Sequence, residues 1–224
     1  HNMTLASEGE VPYPMYWDAR DSSKSEFADL VPVDDTNLEL FQRLFDDTYR
    51  PIWTRDRRKH NPGMPNVPEN FTVVEAFRSE NSRIWREYGV KRAQLIEDSD
   101  SNNRAFDCYN DIISSTAWCT HGGLLADRLK PEINEWYLFH GCSHSAAESI
   151  CKHDFRLTNA GVNTGTLYGR GIYFAESITK ADEYSKPNDE GEYTVILTRV
   201  VGGHVRYTDE LEPDREDLVK SCIE

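Results

Sequence analysis

The sequence predicts a folded α+β domain, and three observations carry that prediction. Its 224 residues fit one domain of ordinary size. Its 5 Trp, 11 Tyr and 9 Phe supply large apolar side chains for a core. Between residues 136 and 207, short strand-like and helix-like segments follow one another with glycines between them, which is typical of α+β proteins.

Charge and cysteine content narrow the classes of function. The chain has 25 Lys and Arg against 39 Asp and Glu, a net charge of −14, so its surface repels a phosphate backbone and nucleic acid is an unlikely partner. Five cysteines without CxxC spacing indicate a reducing compartment rather than a disulfide framework. Without an apolar run of about 18 residues or a signal-peptide layout, we expect no membrane association and a cytoplasmic or nuclear, intracellular location.

Three parts are predicted along the chain. Residues 1–3 have the character of an expression-vector remnant. Residues 4–70 form a lead-in with one helix and a Pro-rich loop, and residues 71–224 form the main domain. We therefore place the chemistry of the protein in residues 71–224.

The lead-in begins as an extended segment, because prolines interrupt it up to residue 34. Three of its aromatic side chains are expected to pack on the domain: Tyr13, Tyr16 and Trp17. Apolar side chains then recur at helical spacing from a cap at Asp35 or Thr36 to about Tyr49, which predicts an amphipathic helix. The basic run at 55–60 follows within the Pro-rich connection and is interpreted as a solvated loop without a role.

The main domain opens with a strand at 71–77 (FTVVEAF) and a helix capped by Asn81 or Ser82. An acidic loop at 97–103 and helices around 105–114 and 124–129 are expected next. The remaining predictions, in chain order, are strand 136–139, helix 143–152 with Ser143 as cap, loop 161–169, strand 171–175, helix 177–184 and strand 193–201. The apolar run 195–197 predicts a central strand covered on both faces.

His140-Gly141 directly follows the apolar strand WYLF. A glycine there lets a ligand reach the backbone, while the histidine can contact a hydroxyl. Taken alone, a histidine at a strand end is more often a structural hydrogen-bonding residue. The pair is therefore a candidate site that depends on what lies beside it.

A second cluster spans residues 168–175 (YGRGIYFA) and continues to Tyr184. Gly169 and Gly171 lack the third glycine of a dinucleotide fingerprint, so we reject a Rossmann site. Tyr173, at the end of a strand, and Tyr184, on the next helix, could sandwich a flat aromatic ligand, or they could be two core tyrosines.

The order of the motifs identifies a family. YLFHG at 137–141, a helix, a glycine-bearing loop, YGRGIYFA at 168–175 and TKADEYS at 179–185 together resemble the signature of the poly(ADP-ribose) polymerase-like ADP-ribosyltransferases, of the diphtheria-toxin-like clade. VVEAFRSENSRIWREY at 73–88 resembles the start of the catalytic domain in its mono-transferase members. The resemblance implies an ADP-ribosyltransferase fold: two small, mostly antiparallel sheets form an NAD+ cleft, and helices pack outside.

The resemblance also implies an activity. NAD+ would be cleaved at the nicotinamide–ribose bond and ADP-ribose passed to an acceptor, which we expect to be a protein, without a metal. His140 and Tyr173 match the catalytic positions. The positions that match NAD+ contacts are His140, Gly141, Cys142, Arg156, Tyr168, Tyr173, Ala181 and Tyr184.

Individual roles follow from the same resemblance. The backbone of Gly141 would hold the carboxamide, and His140 would bind the adenosine ribose. Tyr184 would stack on the nicotinamide ring with Tyr173 on its other side, and Arg156 would contact the adenine side. Residues 157–167 resemble the loop over NAD+, and Lys180 matches a lysine near the acceptor side in some members.

Three departures from the family pattern matter. Cys142 stands where Thr or Ser is usual, and Ala181 stands where a serine commonly binds the carboxamide. The last triad position is unassigned, because Glu192 comes too soon after Tyr184 and Glu224 lacks a strand context. We therefore expect a domain that lacks its last strands, and the segment SENSRIWREY favours mono- over poly-ADP-ribosylation.

Other classes of function remain as alternatives. The first is a degenerate module that binds NAD+ or ADP-ribose without catalysis, supported by the departures above. A zinc adaptor would use Cys108, Cys119, His121, Cys142 and His144, but their spacing is poor for common zinc modules. A Cys-His hydrolase would use Cys142 beside a histidine, although catalytic pairs generally meet in space rather than in sequence.

Overall fold

The α+β prediction is confirmed by a computed structural model, which describes residues 11–21, 26–60, 62–63, 66–99, 114–121, 129–159, 168–210 and 212–223. The strands in these ranges are β1 (Ala28–Pro32), β2 (Phe77–Asn81), β3 (Glu135–Cys142) and β4 (Thr194–Val201). The helices are α1 (Asp35–Thr48), α2 (Arg55–His60), α3 (Ser82–Asp98), α4 (Ser115–His121), α5 (His144–His153), α6 (Ile178–Asp182) and α7 (Arg215–Ile223). None of these helices combines the length and apolar character needed to cross a bilayer.

The described strands form two small antiparallel sheets, as predicted. One pairs β1 with β2, and the other pairs β3 with β4 from Glu135 opposite Val201 to Cys142 opposite Thr194. On the other edge of β3, Phe139 exchanges two backbone hydrogen bonds with Ala175, at 2.7 and 2.8 Å. The β3 strand therefore has a neighbour on each side at this point.

The predicted strand at 71–77 is wrong, because the strand lies at Phe77–Asn81. The side chain of Gln42 takes the place of a partner strand for the preceding segment. Its amide donates to the carbonyl oxygen of Phe71 and accepts from the N–H of Val73, both at 2.9 Å. These backbone groups are thus satisfied without a ladder.

Predictions in the second sheet need three corrections. Strand β3 extends to Cys142, so His140 and Gly141 lie within the ladder instead of after it, opposite Ile196 and Val195. The predicted strand at 171–175 is reduced to the single bridge at Ala175. The run at 195–197 is not central and doubly covered, since within the described chain β4 pairs only with β3 and its residues are half-buried.

Helix starts were predicted more accurately than strands. The side chain of Asp34 caps α1 one residue before the predicted position, and Asn81 and Ser143 cap α3 and α5 as predicted. The α6 helix is shorter than the predicted 177–184, α3 runs into the predicted loop at 97–103, and α4 and α7 were not predicted. The helices expected around 105–114 and 124–129 fall, except for their last residues, outside the described residues.

The core joins the lead-in to the second sheet. Its buried cluster consists of Leu44, Cys119, Tyr137, Phe139, Ile178 and Ala181. The predicted packing of Trp17 is confirmed: it is 6% exposed, and its ring stacks on Tyr13 with centroids 5.6 Å apart. The carboxylate of Glu80 also accepts hydrogen bonds from the N–H groups of Asp18 and Ala19. Residues 13–19 are therefore packed against the rest of the described structure.

Candidate functional site

The imidazole of His140 is held in one tautomer. Its Nδ1 lies 2.9 Å from the carbonyl oxygen of Tyr173, which can only accept, so Nδ1 carries the proton and Nε2 is an acceptor. Burial lowers the pKa of His140, and the hydrogen bond to Tyr173 opposes this shift without cancelling it. The ring packs edge-on against Phe155, with centroids 5.1 Å apart. At neutral pH the side chain therefore offers a fixed, uncharged acceptor.

The backbone of Gly141 is directed away from β4. Antiparallel pairs alternate between hydrogen-bonded and non-hydrogen-bonded, and Phe139 turns its N–H and C=O to Ala175 rather than to β4. Two residues on, Gly141 presents the same groups to the same edge. In the described chain the bridge on this edge ends at Ala175. This is the arrangement that an amide clamp needs, because one donor and one acceptor lie side by side.

A close approach of α6 also explains why residue 141 is glycine. A Cβ added to Gly141 would lie 1.8 Å from the carbonyl oxygen of Ala181 and 2.9 Å from Oγ of Ser185. Ala181 is itself 2% exposed, and its carbonyl accepts from the N–H of Tyr184 at 3.1 Å. The carbonyl group of Ala181 therefore lies close to Gly141 and also binds the N–H of Tyr184.

The hydroxyl of Tyr173 closes a turn. It donates to the carbonyl oxygen of Gly169 at 2.6 Å and accepts from the N–H of Tyr168 at 3.3 Å. Gly169 has a φ of 96°, in the region that favours glycine. Through its own carbonyl Tyr173 also holds His140, so the structure brings three predicted site residues into one network.

The side chain of Tyr184 is held by residues far away in the sequence. Its hydroxyl donates to Oδ2 of Asp56 at 3.0 Å, and the Lys180 ammonium lies 5.3 Å from its ring centroid. Lys180 Nζ donates to the same oxygen of Asp56 at 2.9 Å and to Glu183 Oε2 at 2.7 Å. Burial, with a smaller contribution from the carboxylate of Asp56, raises the pKa of Tyr184 to about 12, so the phenol stays protonated and can donate.

Sequence comparison identifies the family. Residues 47–220 match the sequence model of the poly(ADP-ribose) polymerase (PARP) catalytic domain. The chain belongs to this family.

Relatives of this PARP catalytic domain are similar over shorter stretches. Protein mono-ADP-ribosyltransferase PARP10 of Mus musculus is 46% identical over 71 residues, 31% of this chain and 7% of that protein. Protein mono-ADP-ribosyltransferase PARP12 of Homo sapiens is 39% identical over 71 residues, 32% of this chain and 10% of that protein. Protein mono-ADP-ribosyltransferase PARP11 of Mus musculus is 41% identical over 56 residues, which are 25% of this chain and 17% of that protein. The chain thus matches less than a fifth of each of these relatives.

The basic run at 55–60 is not the solvated loop that its charge pattern predicts. It forms α2, and Arg57 is completely buried. The guanidinium of Arg57 donates to Oδ2 of Asp182 and to the carbonyl oxygen of Thr179, each at 2.9 Å. In this PARP domain, the lead-in therefore binds α6 through Arg57.

Cys142 is not an activated nucleophile. Burial, together with the neighbouring Cys151 thiol, raises the pKa of Cys142 to about 12. Reactive cysteines require the opposite shift, so the hydrolase alternative loses its support. Among the described residues no group of three His, Cys, Asp or Glu side chains is placed to hold a metal ion, and Cys108 lies outside those residues.

The remaining predicted positions lie at the surface or at its margin. Arg156 is exposed after α5, and Tyr168 is 47% exposed. Of the predicted loop at 157–167, residues 157–159 form a 3-10 turn and the rest fall outside the described residues. Glu192 lies in a turn, where its N–H donates to Oδ1 of Asn188 at 2.8 Å.

Proposed function

We propose that this domain is an ADP-ribosyltransferase that uses NAD+ and passes single ADP-ribose units to a protein acceptor inside the cell. The observation that carries the proposal is the match of residues 47–220 to a catalytic domain family. Mono-transfer is favoured because relatives named mono-ADP-ribosyltransferases are 39–46% identical to this chain over the matching stretches.

The reaction places simple demands on the protein. The bond between the ribose C1′ and the nicotinamide nitrogen breaks, and nicotinamide leaves as a neutral molecule. An acceptor nucleophile forms the new bond to C1′ and loses its proton. Positive charge develops on the sugar meanwhile, so the site must orient the leaving group and the ribose.

The neutral His140 suits the sugar side of the substrate. With its Nδ1 proton directed at the Tyr173 carbonyl, Nε2 can accept a hydrogen bond from a ribose hydroxyl. A protonated imidazole would lose that acceptor, and the lowered pKa of His140 avoids this loss.

The nicotinamide side would rest on the edge of β3. The N–H and C=O of Gly141 would bind the carboxamide, with Tyr184 stacked on one face of the ring and Tyr173 along the other. Arg156 and Tyr168 would contribute to the adenine side. This assignment places the NAD+ cleft between β3 and the turn at 168–173.

A binding module without catalysis is the second candidate, and two positions favour it. Cys142 and Ala181 stand where hydroxyl side chains are usual, and each missing neutral hydrogen bond costs on the order of 1 kcal/mol of binding. Both losses weaken NAD+ binding without abolishing it.

The test uses the purified chain and NAD+ labelled in its adenylate half. Nicotinamide release is followed by chromatography, and transfer of label is followed on added lysate proteins. His140→Ala is compared with His144→Ala, a matched change at an exposed histidine two residues beyond the strand. Release and transfer that disappear only in His140→Ala support the transferase. Binding without release supports the module, and absence of NAD+ binding overturns both.

A further inference from the structure

Segment 54–57 of the lead-in contacts α6 and the two residues that follow it. Thr54 Oγ1 donates to the buried carboxylate of Glu183 at 2.8 Å, and Arg57 binds Asp182 and the carbonyl of Thr179. Between these two anchors lies Asp56, on the first turn of α2. Segment 54–57 therefore holds α6 and also the residues that directly follow it.

Asp56 differs from its neighbours because it contacts the side chain of Tyr184 itself. One of its oxygens, Oδ2, accepts from the Tyr184 hydroxyl at 3.0 Å and from Lys180 Nζ at 2.9 Å. The Lys180 ammonium lies over the Tyr184 ring. The carboxylate thus fixes the end of the ring and also the cation that covers one of its faces.

We propose that Asp56 is a positioning residue for NAD+: it sets the orientation of the Tyr184 ring so that the ring can stack on the nicotinamide. The inference rests on the proposed function and goes beyond it, because it assigns a role in the lead-in to a residue that does not touch the substrate. Lys180 lies over one face of the ring, and the opposite face is the one that we propose stacks on the nicotinamide. Without the Asp56 carboxylate, the Tyr184 hydroxyl loses its 3.0 Å hydrogen bond, and Lys180 keeps its contacts with Glu183 and Thr54.

The charge of Asp56 is required as well as its shape. An amide at this position keeps one acceptor oxygen but attracts neither the ammonium nor the phenol as strongly as a carboxylate does. Lys180 stays charged in such a variant, because Glu183 remains 2.7 Å away. Asp56→Asn therefore releases the ring while leaving the Arg57 and Thr54 anchors of α6 in place.

The test measures binding of two probes, NAD+ and ADP-ribose, by calorimetric titration. ADP-ribose lacks the nicotinamide, so it should not report the orientation of Tyr184. We expect Asp56→Asn to weaken NAD+ binding about fivefold to tenfold, the size of one ordinary hydrogen bond, and to change ADP-ribose binding less than twofold. Where turnover is measurable, KM for NAD+ should rise and kcat should change little.

Glu87→Gln is the matched control. It also removes a carboxylate from a partly exposed ion pair, with Arg83 on α3, away from α6. It should leave binding of both probes and the thermal midpoint unchanged. Equal weakening of NAD+ and ADP-ribose in Asp56→Asn, with a lowered midpoint, would show a merely structural role and overturn the inference.

A double-mutant cycle with Tyr184→Phe isolates the contact. If Asp56 acts through the hydroxyl of Tyr184, Asp56→Asn should weaken NAD+ binding much less in the Tyr184→Phe background than in the wild type. Fully additive effects would contradict the inference while leaving the proposed function intact. Wild-type protein that fails to bind NAD+ would overturn the proposed function itself, and the inference with it.

Discussion

Replacing Gly141 by alanine should separate α6 from β3. The added Cβ would lie 1.8 Å from the carbonyl oxygen of Ala181, and that oxygen belongs to the backbone of a buried helix rather than to a flexible side chain. To reach ordinary contact distance the oxygen must retreat by about 1.5 Å, in an interior that is packed like a crystal. We expect a loss of about 3 kcal/mol in the free energy of unfolding, the upper end for overpacking.

Thermal unfolding followed by circular dichroism measures this loss. For a domain of this size, about 3 kcal/mol lowers Tm by roughly 6–12 °C. Gly171→Ala is the matched control, since a Cβ at Gly171 meets no heavy atom within 4 Å. It should leave Tm unchanged or raise it slightly, because alanine restricts the unfolded chain. Equal Tm values for the two variants would refute the close-approach argument.

The same substitution bears on how NAD+ binding is interpreted. The carbonyl of Ala181 accepts from the N–H of Tyr184, so a shift of Ala181 also moves the proposed stacking ring. Loss of NAD+ binding in Gly141→Ala therefore does not by itself identify an amide clamp. If a second substitution restored the Tm of Gly141→Ala and NAD+ still did not bind, the loss of binding would come from the amide clamp and not from a shift of the Tyr184 ring.

Three further outcomes follow from buried titratable groups. Burial raises the pKa of Glu135, but hydrogen bonds from Arg92, Tyr88 and Arg199 outweigh this effect, so the pKa in the folded protein lies below 4.5. The stabilisation that Glu135 contributes is therefore full above pH 4.5 and is lost as the pH falls through the lowered pKa. Glu135→Gln should cost about 3 kcal/mol in urea unfolding at pH 7 and should flatten the acid dependence, and an unchanged profile would contradict this. Cys142, whose pKa is raised to about 12, should react with iodoacetamide at pH 7.5 far more slowly than free cysteine, as mass spectrometry would show; rapid labelling would refute it. Because the pKa of His140 is lowered, the midpoint of the acid-induced fall in NAD+ affinity should lie below the ordinary histidine pKa, and a midpoint above it would argue against the neutral acceptor.

Local chemistry explains which elements could be predicted. An N-cap acts within three residues, so the caps at Asn81 and Ser143 are visible in the sequence itself. A strand needs a partner, and the partner of Phe77–Asn81 is β1, in a segment with no strand signal that we recognised. The more β-prone residues at 71–76 form no strand, because Gln42 bonds the carbonyl of Phe71 and the N–H of Val73, which no periodicity could indicate.

The same distinction divides the candidate site. His140, Gly141, Tyr173 and Tyr184 could be proposed from the sequence because their motifs lie close together and in a fixed order. Asp56 could not be found, since its bond to Tyr184 spans 128 residues. Its neighbours are mostly basic, and a charge run usually indicates a solvated face.

Arg57 shows why that interpretation failed. A guanidinium is buried only where carboxylate and carbonyl acceptors are already placed for it, and here they come from α6, more than a hundred residues later. With Arg57 bound to α6, its neighbour Asp56 contacts Lys180 and Tyr184, and Thr54 contacts Glu183. The lead-in thus belongs to the proposed site: β3, the turn at 168–173 and Tyr184 supply groups proposed to contact NAD+, while segment 54–57 binds α6 and the Tyr184 hydroxyl.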